Sequence, residues 1–113
     1  MPLERRHNTR KTVRWDVEVI DVESGSQLRG VTRDIGLFGC FVETTTPLRS
    51  GRIIILTITR DNQTFTAAGE VVYAVADGMG IAFGPFAPND YAVLKEWFAR
   101  DPQPAQLIRL ASA

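Results

Sequence analysis

Three arginines, Arg5, Arg6 and Arg10, stand at the start of the chain beside Lys11 and Arg14, and over residues 1–14 only Glu4 opposes them. A guanidinium is planar and permanently charged. Its donors match phosphate oxygens, or the O6 and N7 edge of guanine, two at a time, and its flat face stacks on a purine. The spacing Arg6-x-x-x-Arg10, with Arg5 directly ahead, places such groups on one short segment able to close over a small anion. Taken alone, the same cluster serves equally well as a solvated basic tail.

A second cluster is "RDIGLFG", Arg33 to Gly39. The Asp34 carboxylate is a suitable acceptor for the N1 and N2 donors of a guanine. Gly36 and Gly39 admit backbone conformations and close approaches that a side chain would block. On its own this stretch reads as a bulged turn between strands.

Other chemistry lacks its residues. His7 is the single histidine and Cys40 the single cysteine, so neither an internal disulfide nor a zinc site of the usual nitrogen and sulfur ligands can be assembled. Cys40, in "GCFVE", reads as a small buried packing residue. No serine or cysteine has an evident base partner, which leaves nucleophilic catalysis without a constellation. "GMGIAFG", Gly78 to Gly84, leads into a strand pattern and has no helix N-terminus to receive a phosphate, so it reads as turn and strand. Thirteen basic residues balance thirteen acidic ones, against the basic excess of a general nucleic-acid binder. A local surplus inside a neutral chain favours a confined anionic target.

The elements that must position these residues follow from period and punctuation. A chain of 113 residues suits one domain that buries roughly two-thirds of its unfolded surface. "VRWDVEVI" alternates, with Val13, Trp15, Val17 and Val19 on one face. "ESGS" turns, "QLRGVTRDI" returns, and "CFVETT" continues after "GLFG". "RIIILTITR", the turn "DNQ", "TFTAAGEVVYAV", the turn "ADG" and "MGIAFG" complete about six closely spaced strands, predicting a small antiparallel barrel or sandwich. One helix is predicted in "PNDYAVLKEWFARDP", with Asn89 or Asp90 as N-cap and Tyr91, Leu94, Trp97 and Phe98 as its apolar stripe. No apolar run spans a bilayer, and the N-terminus lacks the apolar core of a secretory signal, so a cytoplasmic protein without membrane insertion is expected.

Together, Arg6-x-x-x-Arg10 ahead of the first strand and Asp34-x-Gly36-x-x-Gly39 after it resemble the motif pair of the PilZ domain, and the resemblance runs from about Glu4 to Phe98. It implies an all-β fold, a six-stranded antiparallel β-barrel with one C-terminal α-helix. It divides the chain into a flexible basic arm (1–12), the barrel with its helix (13–100) and a short tail (101–113). It implies a non-catalytic bacterial receptor for cyclic di-GMP that changes conformation on binding and signals to a protein partner, without metal or cofactor. Carried over by position, Arg6 and Arg10 hold phosphate and guanine, Asp34 reads a guanine edge, Gly36 lies in the loop and Gly39 is the closing glycine. Arg5 occupies the place that in the family accompanies an intercalated ligand dimer. The motif's serine is Gly36 here, and one net hydrogen bond of roughly 0.5–1.5 kcal/mol is worth up to about tenfold in affinity. That departure leaves an alternative, a degenerate PilZ domain that binds protein without nucleotide.

Overall fold

Alternation of apolar and polar residues writes the barrel wall, and the computed structural model describes residues 10–100 of it. The strands are β1 (Arg10–Lys11), β2 (Asp16–Asp21), β3 (Gln27–Gly36), β4 (Gly39–Glu43), β5 (Ile53–Arg60), β6 (Gln63–Val75) and β7 (Gly78–Phe83), followed by helix α1 (Pro88–Arg100). Six strands pair antiparallel in the order β3-β2-β5-β6-β7-β4, and β4 returns to β3 to close the barrel. Closure leaves no free edge among these six. The two-residue β1 lies outside the ring and pairs with the end of β3, Arg10 opposite Gly36 and Lys11 opposite Ile35.

Inward positions fill the interior. Val19, Val42, Ile54, Leu56, Ile58, Phe65, Val71 and Met79 are wholly buried, each burial stabilising by about 1.5–3 kcal/mol before entropy is set against it. Trp15, Val17 and Val19 face this core as their alternation predicts, with Val13 half-buried against it. Cys40 is buried among them, and its desolvation pushes the thiol up to about 12.

Turn chemistry sets the register of the long hairpin. Asp61 and Asn62 have φ of 51° and 66°, the left-handed pair that a two-residue hairpin loop requires, so Arg60 pairs directly with Gln63. Gln63, read from sequence as part of the turn, is therefore a strand residue. At the far end of β2, buried Asp21 accepts hydrogen bonds from Arg52 Nε (3.1 Å), Ser24 Oγ (2.9 Å) and the Glu23 amide (3.2 Å). Chiefly the Arg52 bonds hold its carboxyl below the usual carboxylate range.

Two bulges break the alternation. The β3–β4 register shifts between Thr32 and Asp34, making Arg33 the extra residue, and the β6–β7 register shifts between Val71 and Tyr73, making Val72 extra. A bulge re-aims the residues that follow it. Thr32 and Ile35 both face the core, as do Val71 and Ile81, while Asp34 and Tyr73 are turned to the outer surface.

Helix α1 begins at Pro88, one turn position earlier than the predicted N-cap. Proline suits the first helical position because its missing N–H would lack an intrahelical partner there. Asn89 and Asp90 consequently lie inside the first turn, and the Asp90 carboxylate accepts the Thr66 amide at 3.0 Å, tying the helix to β6. Leu94 and Trp97 are wholly buried and Phe98 packs beside them, but Tyr91 is 42% exposed and stands at the margin of the stripe. Trp97 donates its Nε1–H to Gln63 Oε1 (3.0 Å), and the Arg60 guanidinium lies 4.4 Å from the Trp15 ring and 5.2 Å from the Trp97 ring.

Candidate functional site

Strand β1 delivers Arg10 to the outer mouth of the β3–β4 hairpin. Pairing with Gly36 fixes its backbone, and its guanidinium Nε donates to Asp34 Oδ1 at 2.9 Å while Nη2 reaches the same oxygen. Both side chains keep about a third of their surface exposed, 38% and 32%, so each can be approached from solvent. The sequence separation of 24 residues is closed by one strand pairing and one bulge.

The hairpin glycines have different reasons. Gly36 is buried and sits across from Arg10. A Cβ at Gly39 would collide with the carbonyl oxygen of Ile81 and press on Ala82 Cα at 3.3 Å. The close approach of β7 therefore demands a glycine at 39, a packing requirement that also keeps the hairpin low beside Arg10. Leu37 and Phe38 form the tip, with the Phe38 ring 61% exposed.

Arg10, Asp34 and Gly39 share a groove of about 600 Å³ with Phe38, Tyr73 and Val75 on its apolar side. Arg33 lines it as well, its guanidinium 4.3 Å over the Phe41 ring. That cation is held by Glu43 (Nε to Oε2, 2.8 Å) and Asp77 (Nη2 to Oδ2, 3.2 Å). Glu43 also accepts Arg14 Nη2 at 2.9 Å, and hydrogen bonds from the two arginines draw its carboxyl down to about 2.

Of the residues predicted to form the site, Arg10, Asp34 and Gly39 line this groove together, and Gly36 pairs with Arg10 across β1 and β3. Arg5 and Arg6, with the arm to residue 9 and the tail 101–113, lie outside the described residues. The apolar wall was not foreseen from sequence. Its signal is the pair of glycines in "GMG", which leaves a strip of β7 bare for neighbouring rings. Among the described residues no cluster of His, Cys, Asp and Glu has the makings of a metal site, and no helix is long and apolar enough to cross a membrane.

The family model for the PilZ domain matches residues 4–100. The chain belongs to the PilZ family. Among solved structures, the PilZ domain of CeSA from a cellulose-synthesising bacterium superposes with a TM-score of 0.65 at 19% identity, covering 80% of this chain and 96% of that one. The Bacillus subtilis inhibitor of motility MotI/DgrA superposes with a TM-score of 0.67 at 18% identity, covering 85% of this chain and 50% of that one. At these identities the likeness speaks for the PilZ fold alone. No curated protein matches the chain. PilZ domains are receptor and effector domains rather than enzymes, typically for cyclic di-GMP.

Proposed function

We propose that this PilZ domain is a receptor for cyclic di-GMP and that Arg5, Arg6, Arg10, Asp34, Gly36 and Gly39 form its binding site. The observation that carries the reading is the seating of Arg10 by strand β1 against outward-turned Asp34, at the mouth of a groove of about 600 Å³. A doubly charged cyclic dinucleotide presents what both partners of that pair need. Its phosphates accept from the guanidinium in bidentate fashion, and a guanine N1–N2 edge donates to the carboxylate. Ligand entry exchanges the Arg10–Asp34 pair for two such contacts, so the gain is the difference between them. Arg5 and Arg6 add two further guanidinium charges for the phosphates. Drawing Arg10 onto the ligand changes the surface around β1, through which the domain signals to a protein partner.

Isothermal titration of the full chain with cyclic di-GMP tests this. Binding is expected for the parent protein, and Arg10→Ala and Asp34→Ala should each weaken it by at least tenfold, the loss of a charge-assisted contact of roughly 1.5–3 kcal/mol. Parent-like affinity in both variants would falsify the site assignment, and no heat at high micromolar ligand would remove the receptor reading altogether.

A further inference from the structure

Resting on the receptor reading, we infer that Tyr73 is a stacking platform for a purine base of the ligand, at the opposite end of the same groove from Asp34. The registers place Asp34 opposite Phe41, Phe41 opposite Gly80 and Gly80 opposite Tyr73, one outward row across β3, β4, β7 and β6. Three strand spacings of roughly 4.8 Å separate its ends by about 14 Å. Both ends owe their orientation to a bulge. In an unbulged strand of the same sequence, strict alternation from inward-facing Thr32 would turn Asp34 into the barrel, and alternation from Val71 would do the same to Tyr73. An aromatic sent outward by a bulge, 50% exposed beside a cation and a carboxylate, has been placed at a binding surface rather than in a core.

The ring is also seated. A Cβ at Gly80 would meet its Cζ at 2.6 Å and Cδ1 at 2.8 Å, so Tyr73 lies against bare backbone of β7. Phe41 uses Gly78 in the same way, a Cβ there meeting its Cε1 at 2.5 Å. The Phe41 ring stands 6.1 Å from that of Tyr73 and is only 6% exposed, although it faces outward, with Arg33 over it. Tyr73 is thereby braced by Gly80 and Phe41. A braced, half-exposed ring loses little freedom when a flat base settles on it, and base–aromatic stacking needs no hydrogen-bond match. Arg10 and Asp34 then supply charge and edge recognition while Tyr73 supplies the planar contact.

Calorimetric titration with cyclic di-GMP is carried out on the parent chain, Tyr73→Phe and Tyr73→Ala, with proton spectra of the saturated complexes. Tyr73→Phe is expected to bind within about twofold of the parent and Tyr73→Ala about tenfold or more weakly. The dependence of affinity on salt stays the same in all three, because no phosphate contact is lost. A guanine H8 resonance moves upfield in the parent and Tyr73→Phe complexes and loses that ring-current shift in Tyr73→Ala. Tyr73→Ala binding like the parent with the shift intact, or Tyr73→Phe losing as much as Tyr73→Ala, overturns the platform and leaves the receptor standing. A parent chain that takes up no cyclic di-GMP overturns both.

Discussion

Gly36 carries the sharpest question at the scale of a residue. It stands where the family motif has serine, directly across from Arg10, and φ there lies outside the left-handed region, so the backbone itself does not require glycine. A hydroxyl at this position would lie beside the Arg10–Asp34 pair. Gly36→Ser should tighten cyclic di-GMP binding by up to about tenfold, the worth of one net hydrogen bond. Calorimetry measures it, and an unchanged constant would mean that the missing hydroxyl is irrelevant to ligand capture. Gly39 is the contrasting case. Its Cβ has no room against the Ile81 carbonyl, so substitution there tests packing first and binding only through it.

Elements decide what a sequence can disclose. The alternation from Val13 to Val19 and the helix stripe of Leu94 and Trp97 are local signals, and each appears in the structure where its period places it. The turn after Arg60 was legible in place but not in length, since Gln63 pairs with Arg60 and leaves a loop of Asp61 and Asn62 alone. Arg10 and Asp34 were legible through spacing and motif. The outward aim of Tyr73 was not, because a bulge shifts side-chain parity and only the register with β7 reveals it. Pro88 likewise outcompetes Asn89 and Asp90 at the helix start because it fits the first turn better, freeing Asp90 to bind the Thr66 amide. Between elements, Glu43 joins β4 to Arg14 ahead of β2 and to the bulge residue Arg33. Its folded-state carboxyl titrates near 2, below an ordinary value of about 4.3, so its contribution to stability is complete above that ordinary value and fades as pH falls toward 2. Glu43→Gln should therefore be less stable than the parent at pH 7, with urea midpoints converging near pH 2 and a smaller gap at high salt, where exposed pairs are screened. Equal midpoints at pH 7 and low salt would show that the network adds nothing to the fold.

The whole molecule is a closed ring with the Arg10–Asp34 groove on the outside and its helix on the same core as Trp15. Arg60 between Trp15 and Trp97 ties the hairpin end of β5 to both the chain entering the barrel and the helix leaving it. Lys11, next to Arg10 on β1, has its ammonium 5.8 Å from the Phe98 ring, so the strand that carries Arg10 also touches the helix. A ligand that draws Arg10 from Asp34 consequently acts on an element in contact with α1.

The lone sulfhydryl of Cys40 has a use of its own. Buried in β4 with a proton it holds up to about pH 12, it is closed to disulfide reagents while the strand stays paired with β3 and β7. The rate of colour release from an aromatic disulfide is then a stopwatch for peeling that seam. Cyclic di-GMP at a hundred times its Kd should slow the release about 100-fold when only the intact barrel takes ligand. Labelling at one rate with or without nucleotide would mean that the seam opens independently of the groove built across it.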